Sequence, residues 1–253
     1  MRTRALILLG LVAASSPADP PAEPPADGRL NLMFAVWEQA AKGVRSLVIE
    51  YRQEEHDPVF HRVSDQYTCV FTLLRADDGG WLATLDCEPA IPLRPPPRRA
   101  TWLLNHGIIY LLNPDAKVAV RFDGAAGDLP GVLARHFNPF VILLDRKRAE
   151  EWARLEVAKQ DEWYTYLAVT PVGGTRSNRF DGTFDGGEVA VMAKDTADIP
   201  KGMPRALRHW RMGTEVRIDV HTWRLNPADP PKPAEFARPE DRPGWTVQPW
   251  PFQ

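Results

Sequence analysis

Residues 68–88 read TCVFTLLRADDGGWLATLDCE, and how this stretch folds back on itself decides the architecture. Two runs rich in apolar and β-branched residues flank Asp77-Asp78-Gly79-Gly80, the residue types that close a β-hairpin. A three-residue loop, Asp77 to Gly79, sets Leu73 opposite Ala83, Phe71 opposite Leu85 and Cys69 opposite Cys87. That register pairs apolar with apolar side chains, whereas a shift of one or two residues separates the sulfurs. Cys69 and Cys87 are the only cysteines in the chain, too few for a closed structural zinc site. A disulfide between them and two inert buried thiols both fit.

On the N-terminal side of the hairpin, Leu30, Phe34, Trp37 and Ala41 recur at helical spacing, with Leu32, Met33, Val36 and Ala40 beside them. Only Asn31, Glu38, Gln39 and Lys42 mark a polar stripe, so this helix wants contacts on more than one side. Gly43 ends it, and a strand from Val44 to Glu54 follows. On the C-terminal side, "ATWLLNHGIIYLLNPDAKVAVRF" (100–122) holds three short strands separated by turn residues. Asp123 to Pro130 reads as a loop. Asn138 and Pro139 then start a helical segment through Phe140, Val141, Leu143 and Leu144. The remainder is mostly strands: "RLEVAKQ", "WYTYLAVTP", "GEVAVMAKD", "ALRHWRMG" and "EVRIDVHTW". A tail from Asn226 carries eight prolines and reads as an extended strap fixed by Phe236, Trp245 and Trp250.

No alternation of strand and helix is present, which argues against a parallel sheet. About ten short strands with few helices predict an α+β chain, mainly β. The predicted form is an open, strongly curved antiparallel β-barrel covered by an N-terminal helix and a central helical segment. One domain, 29–253, accounts for the length. Before it, Arg2 and Arg4 precede an apolar run from Ala5 to Ala14, the pattern of a secretory signal peptide over 1–15. Residues 16–28 are a Pro/Ala-rich leader. The expected location is therefore the periplasm or cell envelope, as a soluble protein after cleavage.

The residues that could carry chemistry do not converge. Arg217, Asp219 and His221 share one face of a strand with Trp223, because Val216, Ile218, Val220 and Thr222 alternate with them on the other. This is the wet side of a half-buried strand, where exposed ion pairs contribute about 0–1 kcal/mol. No G-x-S-x-G elbow, H-E-x-x-H, P-loop or G-x-G-x-x-G occurs. The six histidines lack metal-ligand spacing, and "FDGTFDGGE" (180–188) reads as a turn rather than a calcium loop. A net charge of −2 leaves no cationic surplus for nucleic acid. No cofactor, metal or catalytic residue is expected.

The surplus is apolar: nine Trp and ten Phe stand among strands and helices. They build a core or line a hollow. Burying one methylene is worth about 0.8 kcal/mol, so a 16-carbon chain gains at most ~12 kcal/mol before entropic costs. An apolar shell can hold such a chain without a charged group.

Three segments, "AAKGVRSLVIEYRQ" (40–53), "LLNHGIIYLLNPDAKVAV" (103–120) and the stretch from Thr214 to Pro251, resemble in their order the periplasmic outer-membrane lipoprotein carriers of the LolA-like type. They are more similar still to an envelope group typical of planctomycetes, from which no activity carries over. The resemblance implies a half-open antiparallel barrel closed by helices, with an apolar cavity for acyl chains of a lipid or lipidated protein. It also implies transient contact with a membrane-bound donor or acceptor. Such carriers latch the lid with an arginine on an early strand, typically before a proline; Arg75 is the nearest positional match, with Ala76 where proline is expected. Leu32, Phe34, Val36, Trp37, Phe140, Val141, Leu144, Val216, Ile218 and Val220 are the candidate lid and cavity residues. A filled-core interaction module of the envelope is the second reading, and an extracytoplasmic hydrolase the third.

Overall fold

The computed structural model describes residues 26–57, 59–60, 62–90, 100–122, 146–147, 150, 153–172, 176–178, 182–211 and 213–249. A helix, α1 (Ala26–Gly43), is followed by strands β1 (Ser46–Asp57), β2 (Arg62–Arg75) and β3 (Trp81–Pro89). β2 and β3 pair in the register expected from the sequence, Cys69 facing Cys87, Phe71 facing Leu85 and Leu73 facing Ala83. The turn explains why. The Ala76 amide donates to Gly80 O (2.8 Å), the Gly79 amide returns to Ala76 O (2.9 Å), and Gly79 takes φ 83°. A left-handed residue at that point of a three-residue loop favours glycine.

β4 (Ala100–Asn105), β5 (Ile108–Asn113) and β6 (Val118–Phe122) continue the meander. His106 and Gly107, both at positive φ, make the tight turn between β4 and β5. β7 (Ala153–Gln160), β8 (Tyr164–Pro171), β9 (Arg176–Asn178), β10 (Gly182–Met192), β11 (Pro204–Arg211), β12 (Thr214–Leu225) and β13 (Thr246–Pro249) complete thirteen strands among the described residues. Their order is β13-β6-β5-β4-β3-β2-β1-β12-β11-β10-β8-β7, with β9 paired to β10. The two ends, β7 and β13, do not pair, so the sheet is curved and barrel-like but open.

Four expectations are corrected. Every neighbouring pair is antiparallel except β13 with β6, where Thr246 to Pro249 run parallel to Val118 to Arg121. The Pro-rich tail is therefore not simply an extended strap. It folds through two single-turn 3₁₀ segments, Pro233–Phe236 and Pro239–Asp241, and ends as that edge strand. In "FDGTFDGGE" (180–188) the described part, 182–188, is strand rather than turn: Gly186 (φ 122°) marks a register shift in β10. A Cβ on Gly187 would stand 2.6 Å from Arg208 O, so the glycine admits a close neighbouring strand. Finally, Trp223 does not share the polar face of β12. His221 is an extra residue, a β-bulge opposite Glu50 and Tyr51, so inward positions change from Val216, Ile218 and Val220 to Trp223. Trp223 Nε1 then donates to Pro204 O (2.8 Å).

The sheet has two apolar faces at one end. The inner face, which α1 covers, carries one core running from β1 to β12 that includes Phe34 and Trp37 of the helix. The outer face of β3 to β6 carries a second cluster, Leu82, Leu103, Tyr110, Leu112 and Ala119, covered by Phe236, Trp245 and Val247 of the tail. Polar bonds fix this cover. Asn105 Nδ2 donates to Phe236 O (2.7 Å), Arg238 Nε to Asn105 Oδ1 (3.0 Å) and Tyr110 OH to Glu240 (3.1 Å). Trp250 lies outside the described residues.

Asn226, at the end of β12, ties helix to sheet. It adopts φ 48°, and its Oδ1 accepts the amides of Arg45 (2.7 Å) and Ser46 (3.0 Å). Its Nδ2 donates to Gly43 O (2.8 Å), satisfying a carbonyl at the helix C-terminus. One side chain thus sets where α1 ends and β1 begins.

Candidate functional site

The inner face falls into two parts. Where α1 lies, the wall is sealed: Leu47, Ile49, Val220, Leu167 and Val191 are fully buried, as are Phe34 and Trp37. Phe34 and Trp37 meet edge to face, with centroids 5.4 Å apart and planes at 86°. Trp37 Nε1 donates to Gly202 O. Gly202 takes φ 82°, a conformation that favours glycine, and a Cβ there would also stand 2.8 Å from Val36 Cγ1. Arg146 donates to Asn31 Oδ1 (3.0 Å) and lies 4.9 Å from the Phe34 ring centroid.

Toward β4 to β6 the same inner face stays apolar but keeps exposed area. Tyr67, Cys87, Trp102, Leu111 and Val120 pack against the core yet are only partly buried. Trp102 and Phe122 meet with centroids 5.7 Å apart and planes tilted by 38°. Among the described residues, Leu104, Ile109 and Phe122 stand on the same face between them and are buried.

Of the sequence-derived lid and cavity residues, the structure brings Phe34, Trp37, Val216, Ile218 and Val220 into one cluster. Leu32 (61% exposed) and Val36 (43% exposed) stand off it, on the other side of the helix. The reason is helical geometry: Leu30, Met33, Phe34, Trp37, Ala40 and Ala41 already fill the inward stripe. Phe140, Val141 and Leu144 lie outside the described residues. Arg75 ends β2, its guanidinium 5.8 Å from the Trp81 ring centroid and its amide bonded to Arg45 O (2.7 Å). Sequence reasoning missed Trp102, Leu111, Val120 and Phe122, although their alternation along β4, β5 and β6 carries the signal.

The polar face of β12 behaves as a solvated surface. Arg217, Asp219 and His221 are exposed. Glu215 accepts from Arg217 (2.9 Å) and from Arg208, and Arg205 pairs with Asp219 (3.5 Å). The hydrogen bond from Arg217, reinforced by Arg208, holds the Glu215 carboxyl down at about 2. An open depression lined by Arg29, Gln160, Asp161, Glu162 and Lys194 is polar and lies apart from the apolar wall.

Inside the wall, Cys69, Cys87 and Tyr51 bring polar groups among the hydrocarbon. Cys69 is buried, Cys87 half-buried, and their sulfurs stand 2.7 Å apart as thiols. Tyr51, buried beside them, is pushed well up by burial and then by the two cysteines, and its hydroxyl hydrogen-bonds Cys69. At the far end of the long β1–β2 hairpin, Val59 (74% exposed) and Phe60 (66% exposed) form an apolar tip. Asp57 Oδ1 accepts both their amides (2.8 and 3.0 Å), and Arg62 lies 5.1 Å from the Phe60 ring centroid.

No family model matches the chain, and no curated protein matches it. Solved structures similar in fold include the MucA/MucB complex of Pseudomonas aeruginosa, at 14% identity and a TM-score of 0.42, covering 81% of this chain and 60% of that one. The chain thus spans about three fifths of the MucB length it matches. Lipoprotein LppX of Mycobacterium tuberculosis matches at 12% identity and a TM-score of 0.44, over 81% of this chain and 100% of the other. An uncharacterized conserved protein from Thermus thermophilus matches at 10% identity and a TM-score of 0.46, over 88% and 99%.

Proposed function

We propose that this chain is a non-catalytic carrier of the cell envelope that holds an acyl chain, of a lipid or a lipidated protein, against the inner face of β4 to β6. One observation carries the reading. The outer face of these strands is closed by the C-terminal tail, whereas Trp102, Leu111 and Val120 on the inner face keep exposed area among apolar neighbours. Apolar surface left part-wet on a concave face gains about 25 cal/mol per Å² when a hydrocarbon covers it. α1 acts as the lid, since its contacts to the wall are mostly apolar side chains. Val59 and Phe60 are the point where the carrier meets a membrane-bound donor or acceptor. Among the described residues no helix is long and apolar enough to cross a membrane.

A second reading, an interaction module with a solid interior, is favoured by the fully buried Phe34 and Trp37. Native mass spectrometry of protein purified without detergent separates the two. Adducts of lipid mass support the carrier, and a bare polypeptide supports the module. A screen of esters and glycosides checks the absence of catalysis: turnover abolished by His221→Ala would overturn it.

A further inference from the structure

We infer that Cys69 and Cys87 close to a cross-strand disulfide in the inner wall, a covalent staple between β2 and β3. The inference is independent of the lipid reading. It stands on register, chemistry and enclosure together.

The two residues face each other directly across an antiparallel pair. Opposite residues in such a pair have Cα atoms about 4.5–5.5 Å apart, inside the range that a disulfide spans. Their sulfurs are already 2.7 Å apart, so closure needs a small rotation of side chains and no movement of backbone. The chain has no other cysteine, so neither thiol has a competing intramolecular partner. Around them the wall is tight: Phe71 and Leu85, the next facing pair on that side, are buried, and Tyr51 hydrogen-bonds Cys69.

Access decides how the bond forms. Cys69 is fully buried, whereas Cys87 keeps exposed surface. A disulfide reagent, either a small molecule such as oxidised glutathione or the disulfide of an oxidoreductase, is attacked by the Cys87 sulfur, giving a mixed disulfide and one released thiol. The Cys69 sulfur then attacks the Cys87 sulfur of that bond and expels the second thiol. Two protein thiols are oxidised, one external disulfide is reduced to two thiols, and the two protons leave with them. The hydrogen bond to Cys69 and burial push the Cys87 thiol up, so the thiolate is scarce once the barrel is packed. Cys69 is fully buried, with Tyr51 of β1 paired against it, so closure belongs to the folding chain, before β1 packs beside the site.

The test is refolding of the full chain, reduced and denatured, in a glutathione redox buffer. The disulfide predicts a product lighter by two hydrogens, monomeric, with no thiol that a maleimide labels after denaturation. Titration with a phosphine reductant then lowers Tm by about 6–12 °C, as expected for a short closed loop in a chain of this size. The Cys69→Ser/Cys87→Ser variant, checked for folding by circular dichroism, shows no response to the reductant. Two labelled thiols per chain, stable glutathione adducts or intermolecular dimers would each overturn the inference. None of these outcomes depends on whether the protein carries lipid, so a failure here leaves the carrier reading to its own experiment.

Discussion

The helix and the tail cover two sides of one sheet by different means. The tail is bound to the outer face of β3 to β6 by directional polar contacts: Asn105 to Phe236 O, Arg238 to Asn105, and Tyr110 to Glu240, with β13 adding a ladder to β6. α1 lies over the inner face mostly through apolar side chains, with Trp37 Nε1 to Gly202 O as its buried polar tie and Asn226 holding its C-terminus. Hydrogen bonds in dry surroundings specify one geometry and are expensive to leave unmade, whereas apolar contact can be exchanged for other hydrocarbon. A cover built the first way is permanent. On the proposed carrier reading, one built the second way trades places with an acyl chain.

That contrast is breakable by mutation. The largest effects come from the two buried anchors. Phe236→Ala and Trp37→Ala each remove a fully buried aromatic and should cost about 3–5 kcal/mol in chemical denaturation. They part company in ligand behaviour. Trp37→Ala, which loosens the lid, speeds exchange of a fluorescent fatty acid, whereas Phe236→Ala leaves that rate unchanged; the reverse pattern would dissolve the distinction between the covers.

Smaller but sharper are the polar ties. Asn105→Ala leaves Phe236 O and Arg238 without their partner and should cost about 1–3 kcal/mol. Hydrogen exchange should rise in 233–249 and stay unchanged in α1. Asn226→Ala should cost about 1–2 kcal/mol, with faster exchange at the amides of Arg45 and Ser46. Gly202→Ala strains the backbone at φ 82° and brings the added methyl against Val36 of α1. Its expected signature is a lowered Tm with the tail's exchange unaltered.

The smallest effect lies on the wet face of β12. The Glu215 carboxyl sits at about 2 in the folded chain, against 4.5 for an ordinary glutamate. A depressed folded value means that the ionised form stabilises the fold, fully above about 4.5, and that this contribution is lost as pH falls from there toward 2. Glu215→Gln should remove that part of the acid sensitivity while leaving fatty-acid exchange at neutral pH unchanged.

How much of this was legible depends on whether side-chain order and backbone order agree. In residues 68–88 they do. Alternation and the Asp-Asp-Gly-Gly turn select one register, and Cys69 meets Cys87 as the pattern requires. In β12 they agree up to Val220 and then part: the written alternation continues through Trp223, but a bulge at His221 turns Trp223 inward. Nothing in V-H-T-W announces an inserted residue. β13 is invisible for another reason, since Thr246-Val247-Gln248-Pro249 gains its strand character only from β6 beside it. In α1, an apolar girdle hides which side faces in; Leu32 and Val36 look equivalent to Phe34 and Trp37 until the wall picks a stripe. For the site, the sequence supplied the hydrophobes of α1 and β12. It did not single out Trp102, Leu111 and Val120, because short strands read as ordinary core until a neighbouring face is seen to be covered and theirs part-wet.

The most direct test uses a fatty acid with a photoreactive diazirine at its methyl end, irradiated in complex with the full chain and mapped by peptide mass spectrometry. Label concentrated on 100–122, at Trp102, Leu111 or Val120, and absent from 233–249, is the predicted result. Label on the tail or spread over the exposed surface, with none on β4 to β6, would contradict an acyl chain held by the inner wall.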